Sequence, residues 1–304
     1  MAKEERAGKD RAQTIMSAYE LKRLDMPFYS IHTTVYLLET QRSVFVIDSG
    51  VLSGRAMLEA ALAPALEKKK RLFLLLTHDH WDHTGLTQWM KARGAAVFAH
   101  RAAAYPLGAD MEHLCQSGYE MFMADFPVEK GKLDSVRKLA APPCPADGYL
   151  EEGSFLTDGD VSLSVLYTPG HCASSASYYE AESGALFSGD AVQCTGYFGA
   201  GIQITDAAAY GTSLEKVGSL PVRAIYGGHE TAVGRAAVCA YLERSAEMDS
   251  RMMRAVVEAY REGDRGAMHM GDLAAEVGRR VGTPYNRQLF GTTAAYLRKY
   301  LFGA

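Results

Sequence analysis

The segment Thr77-His78-Asp79-His80-Trp81-Asp82-His83-Thr84-Gly85 sets three imidazoles and two carboxylates in six consecutive positions, directly after the apolar run Leu72-Phe73-Leu74-Leu75-Leu76. Histidine and carboxylate both bind borderline divalent metals well, and packing alone rarely calls for such a cluster. The spacing His-x-His-x-Asp-His is far more specific than a lone imidazole pair, and a polar surface turn is the weaker reading. A fold built on this chain therefore has to deliver a metal site at the end of a buried strand.

The bulk properties leave room for one large domain, or one domain with a small appendage: 304 residues, 48% hydrophobic and 22% charged. A net charge of -4 gives no global reason to bind a polyanion. The five cysteines, Cys115, Cys144, Cys172, Cys194 and Cys239, are odd in number and form no C-x-x-C pair, which favours a reducing compartment over a disulfide framework. The start, Met1 to Arg6, carries both charge signs and does not read as a signal peptide. No window approaches the ~18 uninterrupted apolar residues of a membrane span, so a cytoplasmic protein without membrane partners is expected.

Residues 1–18 read as a lead-in. Tyr19 to Asp25, Thr33 to Glu39 and Ser43 to Ile47 are rich in β-branched and aromatic residues and predict strands, with a turn at Thr40-Gln41-Arg42. Gly54 to Lys70 has apolar positions at helical spacing (Met57, Leu58, Ala61, Leu62, Leu66), and Leu72 to Leu76 is a buried strand that delivers the histidines. A helix over Gly85 to Ala92 and a strand over Ala96 to Ala99 follow. This order mixes sheet and helix in an α/β (α+β) class. Residues 101–150, Met/Tyr/Phe-rich and then Pro-rich, read as a lid-like helical insertion with an irregular return, an ordinary helical layer being the alternative. A second sheet unit is expected from Gly153 to Phe155, Val161 to Tyr167, Ser175 to Tyr179 and Ala185 to Phe187, then a helix near Ala207 to Val217 and a strand Ala224 to Tyr226. From Arg235 on, the pattern is helical: Arg235 to Glu262, Asp272 to Val281 and Tyr285 to Leu301.

A full site must recruit distant donors. His171 follows a strand and Thr168-Pro169-Gly170, His229 follows a strand and Gly227-Gly228, and Asp190 follows Phe187-Ser188-Gly189. Glycine beside a ligand lets the backbone approach an ion closely. His32, His100, His113 and His269 lack such settings and read as surface or core histidines. The strand ends Asp48-Ser49-Gly50 and Ser188-Gly189-Asp190 resemble each other weakly.

Taken together, Thr77-His78-x-His80-Trp81-Asp82-His83, Thr168-Pro169-Gly170-His171, Ser188-Gly189-Asp190 and Gly228-His229 resemble the metallo-β-lactamase-fold hydrolase superfamily, over roughly Tyr19 to His229. The resemblance implies a four-layer αββα sandwich, here residues 19–234, with the metals at one edge of its two sheets. It assigns His78, His80 and His171 to a first metal, Asp82, His83 and His229 to a second, and Asp190 to both. Two divalent ions, zinc in the first instance with iron or manganese as alternatives, would lower the pKa of a shared water from ~15.7 toward ~7 and stabilise a developing oxyanion. Asp82 would orient that nucleophile or take its proton. Asp48, in Ile47-Asp48-Ser49-Gly50, reads as a hydrogen-bond partner behind the ligands rather than a plain turn cap.

Departures narrow the family. His80 disfavours the flavodiiron branch, which carries a carboxylate there. Asp190 disfavours the penicillin-destroying branch that uses a cysteine. The histidine motif is closest to hydroxyacylglutathione hydrolase, yet the segment Ala191 to Gly199 lacks that enzyme's lysine-bearing glutathione segment. Within it Tyr197 and Phe198 are candidates for the substrate pocket, core packing being the alternative. Cys172 and Cys194 neighbour ligands but read as small buried thiols, and Trp81 as a packing anchor. The tail 235–304 resembles the small winged-helix-like appendage of lactamase-like proteins related to a mitochondrial endoribonuclease. Its eleven Lys/Arg against eight Asp/Glu, with tight basic pairs only at Arg279-Arg280 and Arg298-Lys299, make a weak nucleic-acid surface. A cap on the sandwich or a homodimer contact is favoured.

Three functions remain open: a hydrolase of a small-molecule thioester, ester or lactone; a phosphodiesterase or ribonuclease; and an iron-dependent oxidative enzyme on the same scaffold. Donor types alone do not choose zinc over iron.

Overall fold

Ser43–Ile47 (β4) and Arg71–Leu75 (β5) pair in parallel, Val44 opposite Leu72 through Ile47 opposite Leu75. Strands covered on both faces need no polar alternation. Their successive side chains feed two cores. Val44, Val46, Leu72 and Leu74 pack toward helix α1 (Arg55–Glu67), with its Leu58 and Leu62, while Phe45, Ile47 and Leu75 pack between two sheets. This double burial is the physical origin of the apolar run that precedes the histidines.

The computed structural model describes residues 15–16, 18–28, 31–103, 142, 144–194, 202–263, 268–283 and 287–303. Among them the first sheet holds seven strands in chain order: Ile15–Met16 (β1), Tyr19–Phe28 (β2), Ile31–Glu39 (β3), β4, β5, Ala96–His100 (β6) and Gly148–Leu150 (β7). It is antiparallel from β1 to β4 and parallel from β4 to β7. The second sheet is built from Phe155–Thr157 (β8), Ser162–Tyr167 (β9), Ala176–Glu180 (β10), Ala185–Gly189 (β11), Ala224–Gly227 (β12) and Thr231–Val233 (β13), ordered β13-β12-β11-β10-β9-β8, with only β11 and β12 parallel. The sheets meet through Tyr36, Phe45, Leu163, Val165, Tyr178, Phe187 and Tyr226. Each such side chain contributes about 1.5–3 kcal/mol on burial, enough to offset the ~1–3 kcal/mol of an orphaned polar atom at the site.

The outer layers are α1 and α3 (Thr87–Lys91) on the first sheet, and α4 (Ala207–Gly218), α5 (Arg235–Glu262), α6 (Met270–Val281) and α7 (Arg287–Phe302) on the second. This is the expected αββα sandwich with a helical C-terminal region.

Some boundaries differ from the sequence expectation. The helix expected over 85–92 is shortened to α3, and a separate turn of helix, α2 (Trp81–Thr84), precedes it within the histidine motif; the two do not join at Gly85, whose N–H donates to the Gly50 carbonyl (2.8 Å). Strand β13, in a stretch for which the sequence predicts no element, closes a hairpin on β12. The irregular return expected at the end of 101–150 finishes as an ordered strand, β7, parallel to β6. The lid-like reading itself falls on residues 104–141, outside the described residues. After β13 the described residues hold three helices and no strand, so a helical region, without a wing, is what the tail contributes there. No helix among the described residues is long and apolar enough to cross a membrane.

Candidate metal centre

All the segments singled out from sequence leave strand ends on one edge of the sandwich: Asp48 after β4, the histidine motif after β5, His171 after β9, Asp190 after β11 and His229 after β12. Cross-sheet hydrogen bonds hold these turns. The buried Tyr178 hydroxyl donates to the Leu76 carbonyl (2.8 Å), and Ala176 N–H to the Thr77 carbonyl (2.8 Å). The Tyr36 hydroxyl donates to the Gly227 carbonyl (2.8 Å), and Thr34 N–H to the Gly228 carbonyl (2.6 Å).

The donors converge in two sets. His80 Nδ1 lies 3.1 Å from His78 Nε2 and 2.9 Å from His171 Nε2. Asp82, His83 and His229 form the second set, with Asp82 Oδ2 3.6 Å from His83 Nε2 and 3.5 Å from His229 Nε2. Asp190 stands between them: Oδ2 is 3.7 Å from His171 Nε2 and 3.4 Å from His229 Nε2, and Oδ1 is 3.6 Å from His83 Nε2. His83 Nε2 and Asp190 Oδ1 are buried and lack hydrogen-bond partners. Buried polar atoms left so are costly. A cation between them would satisfy both, and lone pairs of three imidazoles facing one point suit the same chemistry.

The far nitrogens of the rings fix which atom faces the centre. His171 Nδ1 donates to the Gln203 carbonyl (2.9 Å), and His229 Nδ1 to the His32 carbonyl (2.5 Å). Asp48 manages two rings at once. Its Oδ1 accepts from Thr77 N–H (2.8 Å), and its Oδ2 accepts from the Thr77 hydroxyl (2.8 Å) and from His83 Nδ1 (2.8 Å). With its proton given to Asp48, the Thr77 oxygen is free to accept from His78 Nδ1 (3.1 Å). Asp48 adopts φ +61°, a left-handed conformation that Asp tolerates better than most residues. Such bonds set the tautomer and orientation of metal-binding imidazoles.

Charge is unevenly distributed. Burial, reinforced by His83 and His80, holds His78 well below the usual imidazole range, and burial with His80 lowers His171 to about 4. Burial would lower His83 as well, but Asp82, Asp190 and Asp48 override it and raise it to about 10. Burial opposes ionisation of Asp190, yet His229 and His83 hold it well below the carboxylate range. His78 and His171 are therefore neutral imidazoles, as ligation requires, and the second set is a carboxylate-rich pocket.

Gly228 shows why glycine precedes His229. A Cβ there would lie 2.4 Å from Asp190 Oδ1 and 2.5 Å from His83 Cε1. Gly228→Ala is expected to displace both groups and to lower metal affinity by about tenfold or more, as changes next to ligating groups do. Chelator competition measures this, and unchanged affinity would show that the turn yields at no cost to the site.

Other residues fall elsewhere. Tyr197 and Phe198 lie outside the described residues, as does His113. Cys194 donates to the Glu230 carboxylate (3.1 Å), away from the donor sets. The Cys172 thiol lies close to Asp79 and His80, but burial pushes it up to about 12, against thiolate ligation. Trp81 packs edge-on against Phe28 at 5.3 Å, and His100 stacks on Tyr167 at 4.1 Å. Sequence alone marks no role for Thr77, Gln193 or Gln203, although Thr77 opens the motif and Gln193 follows Asp190 by three positions.

Comparison with known proteins adds a family description to this geometry. The family model of the metallo-beta-lactamase superfamily matches residues 31–229. An acyl-coenzyme A thioesterase of Gallus gallus is 31% identical over 166 residues, 52% of this chain and 57% of that protein. The atrochrysone carboxyl ACP thioesterase of Aspergillus fumigatus is 27% identical over 274 residues, 84% of this chain and 74% of that protein. The crystal structure of a metallo-beta-lactamase family protein from Thermus thermophilus superposes with a TM-score of 0.70 at 22% identity, covering 95% of this chain and 94% of the other.

Proposed function

Because the chain belongs to the metallo-beta-lactamase superfamily, we propose that it hydrolyses small-molecule thioesters with a dinuclear, zinc-type centre. His78, His80 and His171 would hold one ion, Asp82, His83 and His229 the other, and Asp190 both. The observation that carries the reading is the placing of Asp190, one carboxylate within 3.7 Å of His171, His229 and His83.

When bound, the ions supply a Lewis acid and a water acidic enough to ionise near neutral pH. The chain's own groups do the rest. Neutral His78 and His171 offer lone pairs, because Thr77 and Gln203 take their Nδ1 protons. The Asp82 side chain is 15% exposed, against 4% or less for the side chains of Asp190, His83, His171 and His229. It is thus placed to take the proton of the attacking water and return it to the departing thiolate. Across the whole step, water oxygen bonds to the acyl carbon, the C–S bond breaks, one water proton ends on the thiol and the other passes to solvent, and carboxylate and thiol leave.

Two features support a thioester over a phosphodiester. Both relatives described above are named as thioesterases, of acyl-coenzyme A and of an acyl carrier protein. One of the two basic pairs of the tail is also engaged by acids: Arg279 bonds Glu276, and Arg280 bonds Glu276 (2.7 Å), Glu262 (2.6 Å) and Glu258 (3.2 Å). Little positive charge is left there for a phosphate backbone.

A panel of acyl-coenzyme A thioesters, lactones, a bis-aryl phosphodiester and single-stranded RNA, run with metal analysis, tests the proposal. Thioesters are expected to lead in kcat/KM by about a hundredfold or more, ~2.7 kcal/mol of transition-state preference. RNA cleavage outpacing every thioester would overturn the substrate class. Redox-active iron with oxygen uptake would overturn hydrolysis itself.

A further inference from the structure

His171 is 1% exposed, and its Nδ1 is held by the carbonyl of Gln203, a residue 32 positions away on the segment before α4. That segment is gripped from two directions. From the turn after β11, the fully buried Gln193 side chain accepts from Gln203 N–H (3.1 Å) through Oε1 and donates to the Asp190 carbonyl (2.8 Å) through Nε2. From the C-terminal region, the buried Thr292 hydroxyl on α7 donates to the Ile202 carbonyl (3.0 Å) and accepts from Ile204 N–H (3.1 Å). One hydroxyl thus brackets Gln203 on both sides. The segment is tied in turn to the ligand loop, because Thr205 N–H donates to the Gly170 carbonyl (2.8 Å) and the Thr205 hydroxyl to the His171 carbonyl (3.1 Å).

We infer that Thr292 is a positioning residue of the metal centre: the C-terminal helical region, through Thr292 and Gln203, sets the orientation of the His171 imidazole and so the affinity of the first ion. A helix that only covered the second sheet would need apolar side chains at this contact. Instead a buried hydroxyl spends both its donor and its acceptor on the backbone flanking Gln203, where nothing but bond direction is gained over packing. With Thr292 removed, Ile202 C=O and Ile204 N–H lose their partner, and of the two grips on Gln203 the one from Gln193 stays. Outer partners of ligating histidines are typically worth about 10–100-fold in metal affinity. The C-terminal helices are then part of the site, not an independent appendage.

The inference rests on the reading of His171 as a ligand, and the experiment separates the two. Full-length protein carrying Thr292→Val, Thr292→Ser, Tyr296→Phe or His171→Ala is compared for zinc affinity by chelator competition and for the absorption spectrum of its cobalt form. Tyr296 is the control because it lies on the same helix as Thr292 and its hydroxyl donates to Asp249 (2.6 Å). The expected result is a tenfold or greater loss of zinc affinity in Thr292→Val with an altered cobalt spectrum, near-full recovery in Thr292→Ser, and unchanged affinity in Tyr296→Phe whatever its Tm. Zinc affinity of Thr292→Val within twofold of the parent, with loss of Tm alone, would overturn the inference. The same follows if Tyr296→Phe weakens zinc as much. Unchanged affinity and spectrum in His171→Ala would instead overturn the ligand reading beneath it.

Discussion

Replacing Asp190 with Ala is expected to remove at least one ion per chain and to lower kcat/KM by about a thousandfold, ~4 kcal/mol of transition-state stabilisation. The carboxylate is 4% exposed and puts one oxygen toward His83 and the other toward His171 and His229. No neutral side chain of similar size offers negative charge to both donor sets. Without it, Asp82 is the remaining carboxylate facing the two dications the site is proposed to hold, and the mutual repulsion of the ions is less well balanced. Asp190→Asn keeps the shape and separates charge from packing: it should fold with a Tm near the parent and still lose metal. Metal analysis by mass spectrometry with thioester kinetics decides. Full metal content and turnover in either variant would end the assignment of Asp190.

The second large effect is expected at Asp48, which touches no donor set from the front. Asp48→Ala would leave the Thr77 N–H, the Thr77 hydroxyl and His83 Nδ1 buried without their acceptor, at ~1–3 kcal/mol for each unsatisfied group. It would also put alanine at φ +61°. A loss of about 3 kcal/mol or more in stability is expected, together with a 10–100-fold loss of metal affinity as His78 and His83 lose their fixed tautomers. Asp48→Asn tests the hydrogen bonding with less backbone strain, since Asn also tolerates the left-handed region. Its stability should recover more than its metal affinity, because an amide has one accepting oxygen and cannot take all three hydrogen bonds that the two carboxylate oxygens accept. Denaturant unfolding and chelator competition measure the two separately. Equal recovery of both would mean that Asp48 serves the turn alone.

Much of the site was legible in the chain because its chemistry is local. His78, His80, Asp82 and His83 crowd one strand end, and His171, Asp190 and His229 each follow a strand and a glycine, a grammar in which residue type and spacing carry the information. The apolar runs at β4 and β5 were legible for a similar reason, since burial on both faces removes polar alternation. The short strand β13 was not: its three residues have no period to read and exist because β12 offers an edge. The break at Gly85 was equally hidden, being decided by the carbonyl of Gly50, a residue 35 positions earlier.

Asp48 marks the boundary between the two kinds of knowledge. Its place at the end of Ile47-Asp48-Ser49-Gly50 suggested a bond behind the ligands, but only the packed sheets give it Thr77 and His83, 29 and 35 residues away. Gln193 and Thr292 lie wholly beyond that boundary. Thr292 meets Ile202 across 90 residues, and an isolated threonine in a helix carries no mark of such a partner. Residue type and spacing alone mark the candidate metal donors and the strand ends that carry them. The tertiary structure decided which nitrogen of each ring faces the centre, because a tautomer is set by the partner on the far side of the imidazole, and that partner comes from another element of the fold.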